Sequence, residues 1–264
     1  IDFDEPNVEN LLLDTGDYPG LLEKSLEWLN WEQLESGLQD RREAGEFVGS
    51  GIGMFVEESG KGPSDGARIT VKKNGDISLL TGGASLGQGF ETTMAQICAN
   101  ALGVDYQKIN VIHGQTNLIP YGIGAHAARA TVMTGSAVNV TALTLRKKVL
   151  GIASEMLQTP VQKLDIIKGT VVLSENLAGP SVTLGEIAER NKDGLATEDF
   201  HRTNNTTFPY GIHFAVVKVD PDTGQIDVER FLVAYDVGRA VNKMLLEGQL
   251  VGGCIQGIGG ALYE

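Results

Sequence analysis

The sequence has few residues of the kinds that build metal sites and redox centres. Among its 264 residues only two are cysteine and four are histidine. The two cysteines, Cys98 and Cys254, lie far apart in apolar stretches, and no CxxC occurs, which excludes a zinc ribbon or an iron–sulfur cluster on this chain. We expect both thiols to be reduced and buried. Since no HExxH pattern is present either, we predict no metal ligand here.

A long apolar run and a basic face are also missing. No stretch approaches the roughly 18 consecutive apolar residues of a transmembrane helix, so we predict no membrane span. With 21 Lys and Arg against 34 Asp and Glu, the formal net charge is −13, which excludes a nucleic-acid partner. The acidic beginning, IDFDEPNVEN, is unlike a signal peptide and favours a cytoplasmic location. Because the sequence starts without Met, we expect a fragment, a processed product or a split subunit.

Glycine, by contrast, is abundant: the 34 glycines are about twice the average usage. They cluster in a few turns, where the backbone must turn tightly or approach something closely. We predict an N-terminal arm with a helix (1–45), then a domain (46–264) of two lobes, about 46–160 and 161–264. Each lobe has a hairpin, a glycine-rich turn and a helix. The alternation indicates an α+β fold with mixed sheets covered by helices.

Local patterns place the elements. Asn74-Gly75 between two alternating runs predicts a hairpin, and apolar spacing predicts a helix over residues 90–102 that ends at Gly103. Thr183 and Glu186 have the spacing of a capping box. A second hairpin is expected around the turn at 221–224. Residues 57–68 have the composition of a solvated loop.

The glycine-rich turn "GGASLGQGFETT" begins at Gly82, and four hypotheses compete for it. A phosphate loop needs GxxxxGK(S/T), but Gln88 stands where lysine would. The GxGxxG spacing of a dinucleotide site is absent at this turn. A third hypothesis is a turn that a bulky polar ligand approaches closely, bound by backbone N–H groups and a side-chain amide. The fourth is a strand-to-helix turn without any ligand.

A second Gly-Gln pair and a long polar loop favour the ligand. Gly87-Gln88 is repeated by Gly248-Gln249, and a glutamine amide offers donors and an acceptor to a heterocycle. The loop 115–130 is long for a connection, as functional loops often are. It ends in Ala127-Ala128-Arg129-Ala130, where free N–H groups at the start of a helix and the charge of Arg129 are expected to face the ligand.

Three ordered stretches carry a family resemblance: GQGFETTMAQICANALGV, VIHGQTNLIPYGIGAHAARATVMTGSAV and VNKMLLEGQLVGGCIQGIGGALYE. Together they resemble the molybdenum hydroxylases, the family of xanthine dehydrogenase, aldehyde oxidoreductase and aerobic carbon monoxide dehydrogenase. The likeness is to the second cofactor-binding domain of the large subunit, and it covers nearly the whole sequence.

The resemblance implies a molybdopterin cofactor with molybdenum, in its cytosine dinucleotide form. The implied cofactor-binding residues are Gly87, Gln88, Gly89, Ala127, Ala128, Arg129, Ala130, Gly248 and Gln249. The implied chemistry is oxidative hydroxylation of a carbon centre or oxidation of CO, with electrons passed to iron–sulfur clusters and FAD. Those groups would belong to partner subunits, and the rest of the molybdenum subunit and a small-molecule substrate would complete the enzyme.

Departures from the family pattern leave an alternative open. Phe90 replaces a common histidine, and Ala128 and Ala130 replace serines whose hydroxyls would each contribute about 0.5–1.5 kcal/mol. The family's catalytic glutamate belongs to a Gly-Glu motif downstream of Glu264, so we predict no catalytic residue on this chain. The alternative is a truncated or degenerate pterin-binding module without activity.

Overall fold

The computed structural model of the chain describes residue 13 and residues 16–119, 121–191 and 194–264. The first part of the predicted arm, residues 1–12, 14 and 15, lies outside the described residues. Helices and mixed sheets alternate along the chain, which confirms the predicted α+β class. Within those ranges, none of the helices has the length and apolar character needed to cross a membrane.

The regular elements follow in chain order. The helices are α1 (Tyr18–Leu29), α2 (Trp31–Glu43), α3 (Phe90–Leu102), α4 (Gly135–Leu157), α5 (Leu184–Arg190) and α6 (Lys243–Leu262). The strands are β1 (Val48–Val56), β2 (Ser64–Val71), β3 (Ile77–Thr81), β4 (Ile109–Ile112), β5 (Leu164–Ile167), β6 (Thr170–Leu173), β7 (Val182–Thr183), β8 (Leu195–Arg202), β9 (Tyr210–Val219) and β10 (Ile226–Asp236).

The chain divides into two compact units. Unit 1 consists of the described residues up to Ser59 together with Thr207–Glu264, and unit 2 is Gly60–Thr206. This division differs from the lobe boundaries expected at residues 45 and 160. The physical reason is strand pairing between distant parts of the chain, because β1 pairs with β9 and so joins the two ends of the sequence in one sheet.

Unit 1 is a three-stranded antiparallel sheet with one face covered by two helices. The strand order is β1-β9-β10, and α1 and α2 pack on the face that carries Ile212, Phe214 and Val216. The arm was expected to contain one helix. It contains two, because Asn30 adopts a left-handed conformation (φ 50°) that ends α1 and redirects the chain into α2.

Unit 2 holds the larger hydrophobic core. Its main sheet has the order β4-β3-β2-β8, and a smaller sheet has the order β5-β6-β7. The predicted hairpin is present as β2 and β3, whose alternating side chains are buried on one face. The helices α3 and α4 pack on this core, and α5 begins with the predicted capping box of Thr183 and Glu186. The core therefore forms where the period-2 and helical patterns predicted it.

Two sequence predictions are wrong in detail. Residues 57–68 were expected to be a solvated loop, but Ser64 begins β2, in which Asp65 pairs with His201 of β8 and is completely buried. Both cysteines were expected to be buried. Cys98 is buried in α3, and burial raises the pKa of its thiol to about 12. Cys254 is only partly buried, because it lies on α6, none of whose described residues is buried.

The end of α3 provides a stability prediction. Gly103 has φ +85°, and a Cβ built on it would lie 2.2 Å from the carbonyl oxygen of Ile166. The Ile166 carbonyl oxygen is a backbone atom and cannot move aside without distorting the chain. Gly103→Ala should therefore lower the free energy of unfolding by about 1–3 kcal/mol in a urea titration. Gly45→Ala is the control, since Gly45 has a similar φ of +91° but open space around it. Equal losses in the two variants would refute a steric cause.

Candidate functional site

The glycine-rich turn connects β3 to α3 in unit 2. Gly87 and Gly89 have φ of +94° and +79°, in the left-handed region where a side chain is unfavourable. Gln88 lies between them and its amide is used within the turn: Oε1 accepts from the Leu86 N–H at 2.6 Å, and Nε2 donates to the Ala84 carbonyl at 3.1 Å. The glutamine therefore holds the shape of the turn from inside.

The backbone at Gly87 has open space on its outer side. Apart from its two chain neighbours, no atom lies within 4 Å of a Cβ built on Gly87. The neighbouring Leu86 side chain is 75% exposed and lies at the same surface. A ligand that approaches the main chain at Gly87 would therefore also meet Leu86.

A carboxylate ties the turn to the strand that follows α3. Glu91, in the first turn of α3, accepts from Ser85 Oγ at 3.0 Å, and its Oε1 lies 2.9 Å from His113 Nε2. The His113 ring also packs edge-on against Phe90, with centroids 5.4 Å apart. Phe90, which replaces the family's histidine, is thus a buried residue beneath the turn.

This carboxylate makes the turn sensitive to acid. A hydrogen bond from its own backbone N–H, followed by the His113 and Ser85 contacts, lowers the pKa of Glu91 below its ordinary value of 4.5. Because folding favours the ionised carboxylate, Glu91 stabilises the folded state at pH values above its ordinary pKa. This stabilisation is lost as the pH falls through the lower pKa of the folded state. The stability difference between wild type and Glu91→Gln should therefore be larger at about pH 7 than at about pH 3 in urea titrations. A difference that is constant with pH would contradict this assignment.

The second loop begins α4 in an unusual backbone conformation. Ala127 and Ala128 have φ of +44° and +49°, and Arg129 returns to the right-handed region with φ −75° and ψ −18°. Such alternation of hand directs successive N–H groups to one side, as in anion-binding nests. Within the described residues, the Arg129 N–H donates to the His126 carbonyl at 3.0 Å, whereas the N–H groups of Ala127 and Ala128 have no protein acceptor. Two amides therefore remain for a ligand.

The conformation of these two alanines predicts the effect of substitutions there. A left-handed non-glycine residue costs about 1–2 kcal/mol. We expect Ala128→Gly to leave the free energy of unfolding unchanged or slightly raised, and Ala128→Val to lower it by at least about 1 kcal/mol in urea titrations. Because Ala128 is exposed, packing should contribute little to either value. Equal stability of the valine and glycine variants would show that the left-handed conformation is not maintained.

The Arg129 side chain is inside the protein, whereas its charge was expected to be available to a ligand. It is completely buried, and its Nη1 lies 3.0 Å from Asp65 Oδ2. It also donates to the carbonyl oxygens of Lys61, Ser64 and Gly124. The charge of Arg129 is thus neutralised by Asp65 inside the protein, because an unpaired buried charge is too costly. What this segment offers a ligand is backbone, not a positive charge.

The structure brings the bases of the two loops together. A Cβ built on Gly82 would lie 2.5 Å from the Tyr121 carbonyl oxygen, and one built on Gly122 would lie 2.6 Å from the Gly82 carbonyl oxygen. Only two glycines allow the backbones to approach this closely. The glycine-rich turn that contains Gly87–Gly89 and the loop that contains Ala127–Ala130 therefore contact each other at their bases in unit 2.

The second Gly-Gln pair lies in unit 1. Gly248 and Gln249 are exposed residues of α6, a helix capped by the Asn242 side chain, which accepts from the Leu245 N–H at 3.1 Å. Among the described residues the structure shows no protein partner for the Gln249 amide. Its role as a cofactor-contacting residue stays a prediction.

Two residues of this region escaped the sequence analysis. Asp65 and Thr134 are both completely buried, and the Thr134 hydroxyl donates to Asp65 Oδ2. Nothing in their local sequence indicates burial, since Asp65 is surrounded by Gly, Pro and Ser. The described ranges contain no group of three or more metal-ligating side chains.

Comparison with known proteins agrees with this geometry. A family model described as the molybdopterin cofactor-binding domain matches residues 24–264. The chain belongs to this family, and the predicted membership of the molybdenum hydroxylases is confirmed.

Several individual proteins are similar to nearly the whole chain. The chain is 33% identical over 261 residues to the 6-hydroxypseudooxynicotine dehydrogenase complex subunit gamma of Paenarthrobacter nicotinovorans, covering 95% of this chain and 33% of that protein. It is 31% identical to the carbon monoxide dehydrogenase large chain of Afipia carboxidovorans, covering 95% of this chain and 34% of the relative. The structure superposes on quinoline 2-oxidoreductase from Pseudomonas putida 86 with a TM-score of 0.84 at 26% identity, covering 97% of this chain and 36% of that one. The chain thus spans about a third of the length of these relatives.

Proposed function

We propose that this chain is the part of a molybdenum-dependent hydroxylase or dehydrogenase that holds one side of the molybdopterin cofactor. The observation that carries the proposal is the pair of joined loops in unit 2. They present open space at Gly87 and, at Ala127 and Ala128, two amides without an acceptor among the described residues. The family match supports the identity of the ligand. Gly248 and Gln249 of unit 1 are proposed as further contacts.

The donors fit the proposed cofactor. A pterin has edges with mixed donors and acceptors, and its phosphates accept hydrogen bonds from backbone N–H groups without a nearby cation. Unit 2 supplies such neutral groups, since Asp65 neutralises Arg129. We propose the cytosine dinucleotide form, which the likeness to a carbon monoxide dehydrogenase large chain supports.

This chain's own residues would bind and orient the cofactor. Fixed backbone donors hold a ligand with little reorganisation, which is what precise placement of a reactive group requires. When bound, the molybdenum group supplies the two-electron oxidation of a substrate carbon or of CO. The rest of the molybdenum subunit, iron–sulfur and FAD subunits and a small-molecule substrate are the proposed partners, and cytoplasm is the proposed location.

Analysis of the protein isolated from its host together with its partner subunits tests the proposal. We expect about one molybdenum per chain by mass spectrometry and about one cytidine monophosphate after acid hydrolysis, because one site is proposed. An oxidase or dehydrogenase assay should accompany them. Molybdenum with a nucleotide other than cytidine would reject only the dinucleotide assignment. Protein that is folded but free of molybdenum and pterin would reject the function and favour an inactive module.

A further inference from the structure

We propose that Asp65 is a positioning residue that anchors both cofactor loops of unit 2. The proposal rests on the proposed function, since it concerns the same site. Asp65 does not face the ligand; it is completely buried in β2, beneath the contact between the two loops.

Both carboxylate oxygens of Asp65 are used, each toward a different part of the site. Oδ2 accepts from Arg129 Nη1 at 3.0 Å and from the Thr134 hydroxyl at the beginning of α4. Oδ1 accepts from the Gly66 N–H at 2.9 Å and would lie 2.8 Å from a Cβ built on Gly82. Asp65 thus hydrogen-bonds to the second loop and to the residue before α4, and its Oδ1 lies close beside Gly82 at the base of the glycine-rich turn.

Arg129 extends this anchor across the loop. Its guanidinium donates to the carbonyl oxygen of Gly124 at 2.9 Å, and to those of Lys61 and Ser64 at 3.1 and 3.0 Å. With the Asp65 contact, the buried guanidinium has four hydrogen-bonding partners. Arg129 directly follows Ala128 in the chain. Fixing the Arg129 side chain therefore limits the backbone conformations of Ala127 and Ala128.

The strained backbone indicates that this anchor sets geometry as well as stability. Two successive left-handed alanines persist only where the surrounding structure over-determines them. Here that structure includes the Asp65–Arg129 pair and the bond from the Gly60 N–H to the Ala127 carbonyl at 2.9 Å. Without Asp65 the loop should relax, and the free N–H groups of Ala127 and Ala128 would lose their common direction.

Asp65→Asn in the full protein tests the proposal, because it keeps the size of the side chain and removes its charge. In cofactor-free protein from a host that cannot make molybdopterin, we expect hydrogen exchange at the N–H groups of Gly60 and Arg129 to rise about tenfold or more. In loaded protein we expect molybdopterin cytosine dinucleotide to be released about tenfold faster or more.

Thr134→Val removes one donor to Asp65 and should act in the same direction, by about threefold. If Asp65→Asn does not fold, the same two measurements on Thr134→Val test the proposal.

Ile187→Ala is the matched control for lost stability. Ile187 is completely buried in α5, which packs beside the β2–β3 turn, at the end of the hairpin opposite Gly82. It should destabilise the unit while leaving exchange at Gly60 and Arg129 and the release of cofactor near wild type. The proposal is overturned if this control changes both measurements as much as Asp65→Asn does, or if Asp65→Asn changes neither. Wild-type protein without cofactor would instead reject the proposed function, and exchange in the cofactor-free protein would still test Asp65.

Discussion

Arg129→Met is expected to lower the free energy of unfolding by about 3–5 kcal/mol, because it leaves Asp65 as an uncompensated buried charge. Methionine keeps most of the length and apolar contact of the arginine stem, so the loss isolates the guanidinium. Both side chains of the pair are 0% exposed, so solvent cannot replace the missing partner. Against a typical total of about 5–15 kcal/mol, such a loss is large. Urea unfolding at neutral pH measures it.

Arg68→Met is the matched control. Arg68 pairs with Glu198 at 2.6 Å on neighbouring strands of the same unit, but the two side chains are 43% and 34% exposed. Exposed pairs contribute about 0–1 kcal/mol, so this variant should unfold close to wild type. Similar losses at Arg129 and Arg68 would contradict the buried character of the Asp65–Arg129 pair.

Gly82→Ala is expected to weaken cofactor binding by about tenfold or more, which corresponds to about 1.4 kcal/mol. The added methyl group would lie 2.5 Å from the Tyr121 carbonyl oxygen and 2.8 Å from Gly122 Cα. Both are backbone atoms, so the glycine-rich turn and the second loop would have to separate at their shared base. The measurement is the content and release rate of molybdopterin in protein from the native host.

Gly151→Ala separates this effect from that of a methyl group elsewhere. Gly151 lies inside α4, and nothing lies within 4 Å of a Cβ built on it. Alanine is the better helix former by about 1 kcal/mol, so this variant should be as stable as wild type or more stable, with normal cofactor content. A Gly82→Ala protein with wild-type content would show that contact between the loops is not needed for binding.

Local patterns predicted the elements from which the site is built. The Asn74-Gly75 turn, the helix over 90–102 and the capping box at Thr183 depend on neighbouring residues, and the structure has each of them. The sequence also directed attention to the glycine-rich turn and the Ala127–Ala130 loop, and their role as cofactor contacts stays a prediction.

What the sequence did not predict depends on partners far along the chain. Asp65 lies 64 residues before Arg129, and its local composition is that of a loop. Its burial is seen only in the structure, where Arg129 and Thr134 surround its carboxylate. For the same reason the Arg129 charge was expected to face the ligand. The Gln88 amide was expected to bind the ligand, while the structure uses it within the turn. The two compact units divide the chain differently from the expected lobes, because β1 pairs with β9 across most of the chain.

Hydrogen exchange at single amides, with and without cofactor, tests the central claim most directly. If backbone groups at Gly87–Gly89 and at Ala127 and Ala128 hold molybdopterin, exchange at these N–H groups should slow about tenfold or more on loading. The buried core amides of Leu145 and Ile187 should show no such change. Protein that contains stoichiometric molybdopterin but exchanges these loop amides as fast as the cofactor-free form would contradict the account.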